Sequence, residues 1–334
     1  MTAERGPSSA SAAHRFAVDA FAPIAVAARS GLDESLHHGV GIAIDAVGDV
    51  IASVGDPSTV IYPRSALKPF QTSAMLSSGL ELPHRLLAVV IASHSGEAEH
   101  LAAVREILDR HGLDEHALRN TPTLPIDADA KRTAIEQRIE PASILQNCSG
   151  KHAGMLATCA VNGWDIDSHL DVEHPLQRAI VAEIDRLVGR QGAVEHIGVD
   201  GCGAPTHALA LHDVARALGT LGRESSDVLE AMAAHPHLVG GTDRDVTVWM
   251  RHVPGLAAKE GAAGVMVLAL PDGRAAALKV ADGSDDVRRA VVPELLRHLG
   301  IDVDDTFAHV VDETRVDVLG HGTAVGTIRA LPWR

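Results

Sequence analysis

Strand-patterned segments stand at the two ends of this chain, and nearly everything between them is patterned as helix. Segments 21–28 and 39–54 come first, the second shaped as a hairpin whose turn falls near Gly48 and Asp49. From Ser65 to about Arg251 the period is helical, clearest over 97–110, 149–160, Pro175–Val188 and 212–218. Segments 265–270 and Ala275–Val280 then flank Pro271-Asp272-Gly273-Arg274, a strong hairpin turn. A helix is expected over 285–299 and a closing strand over 324–330. Strands cannot stay unpaired, so the two groups must meet. The expected fold is α/β in composition (α+β), one antiparallel sheet built from N- and C-terminal strands and packed against a helical lobe spanning roughly 65–251. A cleft should lie at their junction. Residues 1–20 mix charge with Ser and Ala and read as a disordered tail, leaving 21–334 as one domain without repeats or a separating linker.

Charge and hydropathy exclude several partners. A net charge of −15, from 44 acidic and 29 basic residues, repels phosphate backbones, and 2% aromatic content leaves little surface for stacking bases. Nucleic acid is set aside. The longest apolar run, 86–92, falls far short of the roughly 18 residues that a membrane helix needs. The first twenty residues hold no hydrophobic block like that of a secretory leader, so the expectation is a soluble cytoplasmic protein. Three cysteines (Cys148, Cys159, Cys202) are poor material for a disulfide framework.

Lysine usage is more informative. Only five of the 29 basic residues are lysine (Lys68, Lys131, Lys151, Lys259, Lys279). Arginine cannot give up its proton in a protein, whereas a desolvated lysine can become a base or a ligand. Chance and codon bias suffice for Lys131 and Lys279.

Four motifs stand out, and three of them hold the other three lysines. In Pro63-Arg64-Ser65-Ala66-Leu67-Lys68-Pro69, a helix starting near Ser65 puts Ser65 and Lys68 on one face, with free N–H groups suited to an oxyanion. This is the Ser-x-x-Lys spacing of penicillin-interacting serine hydrolases, and the bland alternative is a serine N-cap followed by a surface lysine. Ala92-Ser93-His94-Ser95-Gly96-Glu97 ends an apolar run; Ser95 can cap the helix 97–110, leaving Ser93 free. Cys148-Ser149-Gly150-Lys151-His152 and Asp200-Gly201-Cys202-Gly203 offer two thiols and an amine, either an open zinc site or two buried cysteines acting as small hydrophobes. Lys259-Glu260-Gly261 enters a strand where a lysine can reach across a cleft toward a serine; the alternative is a solvated turn charge.

Taken in order, PRSALKPFQ, ASHSGE, CSGKHAGM, DGCGAPT and AKEGAAG resemble the asparaginase II family, the rhizobial-type L-asparaginases, over residues 20–330. The resemblance implies a fold similar to serine β-lactamases and glutaminases, a homodimer, and L-asparagine as the small-molecule substrate. It implies two Ser–Lys pairs, Ser65 with Lys68 and Ser93 with Lys259, and a zinc site at Cys148, Lys151 and Cys202 that helps hold substrate. Arg64, His152 and Asp200 occupy motif positions beside these groups and are assigned to substrate binding. Segment 240–248 keeps only the polar, glycine-containing character of the family.

The reaction so implied is hydrolysis of the side-chain amide to aspartate and ammonia by Ser–Lys nucleophilic catalysis. The same scaffold could serve a glutaminase, a β-lactam hydrolase or an esterase. The motif middle residue Glu260 and the lack of a Ser-Asp-Asn triplet speak against β-lactams. A non-enzymatic metal-binding protein would leave Ser65, Lys68 and Lys259 unexplained.

Overall fold

The computed structural model describes residues 16–333. Its strands are β1 (Ala22–Arg29), β2 (Leu32–Ile44), β3 (Val50–Val54), β4 (Val60–Ile61), β5 (His196–Val199), β6 (Pro205–Ala210), β7 (Ala257–Gly261), β8 (Val265–Ala269), β9 (Ala275–Val280), β10 (Asp317–Gly320) and β11 (Thr323–Ala330). The main sheet runs β10-β11-β1-β2-β9-β8-β7, with β3 paired to β2, and every pairing is antiparallel. The amino-terminal β1–β2 hairpin is therefore inserted between carboxy-terminal strands, as the patterning at the chain ends requires.

Strands β7, β8 and β9 are buried along their whole length, on both faces. The sequences of β8 and of β9 up to Leu278 accordingly read as apolar runs without alternation, whereas β7 carries Lys259 and Glu260. Helix α7 (Leu211–Arg223) packs on β2, β8 and β9 from one side, and α11 (Asp285–His298) covers β8, β9 and β11 from the other. Register aligns Ile42, Ala277, Val267 and Lys259 in one row across the sheet. Lys259 thus continues a row of core residues to the free edge, where the helical lobe begins.

That lobe holds α1 (Lys68–Ser77), α2 (His84–Ile91), α3 (Ala98–Arg110), α4 (Ala128–Glu136), α5 (Ser149–Asn162) and α6 (Pro175–Val188), and further on α8 (Asp227–Ala234), α9 (Pro236–Val239) and α10 (Asp245–His252). A last short helix, α12 (Ala308–Glu313), precedes β10. Helix α2 is buried from Leu86 through Ile91 because α1, α3, α5, α8 and α9 surround it. One apolar cluster runs without a break from Ile24, Ile42 and Val267 of the sheet to Leu86, Val89 and Leu156 of the lobe. A small sheet in the order β4-β6-β5 interrupts the helical region, an element absent from the sequence expectation. Of the expected tail 1–20, residues 1–15 lie outside the described residues, and Val18–Ala20 forms a 3-10 turn. No helix among the described residues is long and apolar enough to cross a membrane.

One glycine fixes how the two halves meet. A Cβ at Gly261 would lie 2.2 Å from the Pro63 carbonyl oxygen, so only glycine lets β7 pass this close to the turn that carries Ser65.

Candidate active site

The apolar run of α2 delivers the first functional group. Its backbone turns extended at Ala92 (φ −64°, ψ 150°), and the Ser93 N–H donates to the Val239 carbonyl at 3.0 Å. Ser93 is thereby pinned at the lobe–sheet junction with 3% of its surface exposed. The adjacent Ser95 does not cap α3; its hydroxyl donates to the Gly240 carbonyl at 3.0 Å, and Glu97 occupies the N-cap position.

Two lysines converge on Ser93. Lys259 Nζ donates to Ser93 Oγ at 2.9 Å, and Lys68 Nζ lies 3.3 Å from the same oxygen while also donating to the Ala92 carbonyl. Both amines are buried. Lys68 opens α1, after a 3-10 turn over Arg64–Leu67 in place of the expected α-helical start at Ser65. Pro69 falls in the first helical turn, where its missing N–H costs no intrahelical bond. The Lys68 amine thus faces Ser93, and this one hydroxyl receives both lysines of the two expected pairs.

Ser65 itself is half-buried on the wall of a cleft of about 650 Å³, shared with Arg64, Cys148, Asp200, Cys202 and Ala262. The residue before it, Arg64, sits at φ +56°, a strained left-handed conformation for a side-chain-bearing residue. Its guanidinium grips Asp200 Oδ1 through Nε (2.8 Å) and Nη2 (2.6 Å), and the Gly201 N–H donates to that oxygen at 2.7 Å. Burial would raise the Asp200 carboxyl, but the Arg64 hydrogen bonds and the Lys151 charge hold it below the usual carboxylate range. His152 is fully buried in α5 and outside the cleft wall. Burial, then the charges of Lys151, His169 and Lys68, push its pKa well below the ordinary value, and among the described residues neither ring nitrogen has a hydrogen-bond partner.

Electrostatics distinguishes Lys259. Burial is the largest influence and brings its pKa down to about 8, with Lys68 and Arg244 adding to the fall and Glu260 opposing it. Glu260, which sequence reasoning treated only as a mismatched motif residue, is the unforeseen member of the site. Its Oε1 lies 3.0 Å from Lys259 Nζ and 3.1 Å from Arg244 Nη2. Burial alone would raise this carboxyl, but the charges of Lys259, Arg244 and Arg288 bring it to about 2. A carboxylate beside a strand lysine was a signal available in the sequence; the partnership with Arg244 was not, because it depends on how α10 meets β7.

Cys148 and Cys202 come together at the cleft wall with Lys151, whose Nζ lies 3.1 Å from Cys202 Sγ. The hydrogen bond between the two sulfurs pushes the Cys148 thiol well down and Cys202 up. Burial would lower Lys151, but the charges of Cys202 and Cys148 outweigh it and raise the amine. Two sulfurs and a nitrogen beside an open cleft are a donor set that could hold zinc, and the amine would have to give up its proton to serve as a ligand. Another group with ligand-like spacing, His84, Asp227 and Glu230, lies at the end of α2 remote from Ser93, with both carboxylates exposed.

Against known proteins, the sequence profile described as L-asparaginase II matches residues 25–330. Among solved structures, a beta-lactamase from Mycobacterium bovis is similar over 74% of this chain and 88% of its own, at 14% identity and a TM-score of 0.38. No curated protein matches the chain in sequence. A profile match spanning both the sheet strands and the helical lobe, over every residue of the cleft described above, means that the chain belongs to the L-asparaginase II family.

Proposed function

We propose that this asparaginase-type hydrolase removes the side-chain amide of free L-asparagine by a Ser–Lys mechanism, as a cytoplasmic homodimer. The observation that carries the reading is the convergence of two buried lysine amines on Ser93 Oγ, behind a cleft whose wall presents Ser65. Ser65, the hydroxyl in contact with the cleft, attacks the amide carbon. Its proton is taken by the Lys68 amine of the Lys68–Ser93–Lys259 array, while Lys259 stays a donor to Ser93, and Lys68 then returns that proton to the departing ammonia. The first N–H groups of a 3-10 turn have no partner within it, so the Ser65 N–H is free to meet the developing oxyanion. Water then releases aspartate from the acyl-serine by the same proton path.

Arg64 and Asp200 form a charged pair at the rim, suited to the carboxylate and ammonium of an amino acid. His152 supports this wall from inside α5. Cys148, Lys151 and Cys202 would hold zinc, which when bound supplies a cation beside the pocket for anchoring the substrate.

Ammonia release from asparagine and from glutamine, with and without a chelator, tests the proposal. Asparagine is expected to be the better substrate, with weakened substrate binding under chelation. Ser65→Ala and Ser93→Ala should each cut kcat by about 10³-fold or more. Full ammonia release by both serine variants sinks the mechanism. Preferential turnover of glutamine, a chromogenic cephalosporin or an ester would reassign the substrate, and light scattering checks the dimer.

A further inference from the structure

We propose that Glu260 is a positioning residue of this site, holding Lys259 as an ammonium with one of its hydrogens aimed at Ser93 Oγ. The relevance to turnover rests on the Ser–Lys reading above; the geometry does not. Lys259 Nζ has three oxygen acceptors at bonding distance: Ser93 Oγ at 2.9 Å, the Glu260 carbonyl at 3.0 Å and Glu260 Oε1 at 3.0 Å. An ammonium has three N–H donors and a neutral amine only two. Lys259 is fully buried, so an unsatisfied acceptor here could not turn to bulk solvent.

Glu260 is in turn fixed from its far side. Arg244 Nη2 donates to the same Oε1 at 3.1 Å, and Arg244 is the N-cap residue of α10. Register places Glu260 in the row of Met266 and Leu278, the face opposite the Lys259 row. The contact between these two neighbours therefore runs round the free edge of the sheet, which β7 provides. The charged groups that bear on the pair are Lys68 and Arg244 toward Lys259, and Arg244, Arg288 and Asp285 around Glu260. Glu260 is the anionic group in direct contact with the amine, and it opposes burial and both cations. Without it, the ammonium would give up a proton at lower pH, leaving two N–H groups where three acceptors stand.

The chain has five lysines, so protein labelled with lysine 15N at Nζ gives five side-chain signals, assignable by substitution. In the wild type the Lys259 signal should titrate near pH 8. Glu260→Gln should move that midpoint down by about one to three pH units, the range produced by removing an adjacent opposite charge. Arg244→Gln, which removes a cation, should move it up. Opposite signs for the two variants are not what a general loosening of the site would give. An unmoved midpoint in Glu260→Gln, or movement of both variants in one direction, overturns the proposal. Should Glu260→Gln fail to fold, Glu260→Asp, which draws the carboxylate back from the amine, decides: a downward shift supports the proposal and an unmoved midpoint overturns it.

In turnover, the alkaline limb of kcat should move down with the midpoint in Glu260→Gln, while KM for asparagine changes less than about threefold, because the carboxylate lies outside the cleft wall. A protein that releases no ammonia from any amide would refute the functional reading yet leave the titration to judge Glu260.

Discussion

Lys68, Lys151, Lys259 and Lys279 are each at most 7% exposed, and Lys131 alone of the five lysines is open to solvent. A long cationic side chain is rarely buried without partners, and each of the four has them: hydroxyl, thiol, carboxylate or carbonyl. The scarcity of lysine in the sequence therefore goes with burial, and this holds for Lys279 too, which lies against the Ala263 and Val280 carbonyls. What spacing could not give was the contact of Lys68 with Ser93, because Ser93 comes from a distant element, the end of α2. A 3-10 turn also brings residues three apart onto one face, so the turn over Arg64–Leu67 leaves the Ser65–Lys68 spacing intact. A pH prediction belongs at this scale. With Lys259 near 8, the side chain is an ammonium below that pH and a neutral amine, able to accept a proton, above it. If its task is to donate to Ser93, kcat should fall as pH rises through about 8; if it were the resting base, kcat would rise over the same interval. A kcat–pH profile from 6 to 10, with Lys259→Met as the flat reference, distinguishes the two signs.

Elements set the distances between these residues, and their tightest contact is β7 against the turn at Pro63. Gly261→Ala puts a methyl carbon 2.2 Å from a backbone oxygen, which cannot rotate away as a side chain can. Overpacking of this kind costs about 1–3 kcal/mol, so a lower melting temperature is expected. Because Lys259 and Ser65 lie on the two elements forced apart, the loss of kcat at a temperature where the variant is fully folded should exceed tenfold. Gly150→Ala meets the Val89 carbonyl at 2.1 Å, in the α2–α5 contact, and offers a second test of the same packing argument. Long, strongly patterned elements were legible: Ala275–Val280 and Pro175–Val188 have the bounds expected from the sequence, and α3, α5 and α11 differ from expectation by one or two residues. Strands β4, β5 and β6 were not, since they span two, four and six residues and carry no alternation that distinguishes them from loop. The pairing of β4 with β6 is long-range, joining Val60 to Ala210 just ahead of Pro63.

At the scale of the molecule, the question is what keeps the helical lobe registered on a sheet made from the chain ends. Beside the continuous apolar cluster, a single buried cation ties α11 to α10. Arg288 of α11 is fully buried and donates through Nη1 and Nη2 to Asp245 of α10, at 2.8 and 3.0 Å, and through Nε to Asp285 at 2.7 Å. Helix α11 covers the sheet while α10 closes the lobe, and Asp245 directly follows Arg244, the residue that grips Glu260. The junction and the site are therefore tied by adjacent residues. Removing one partner of a buried pair strands a charge and costs about 3–5 kcal/mol, whereas replacing both with apolar groups of similar volume is often neutral or better. Asp245→Asn should accordingly lower stability by about 3 kcal/mol, toward the small end because Asp285 still meets Arg288 from the exposed side. The pair Asp245→Leu with Arg288→Met should recover most of that loss in urea unfolding at pH 7. Its kcat should nonetheless stay depressed, because Arg244 then caps a helix whose start is no longer fixed to α11. Equal urea midpoints for wild type and Asp245→Asn would show that the lobe is held by apolar packing alone, and a double variant with full activity would show that the junction and the site are independent.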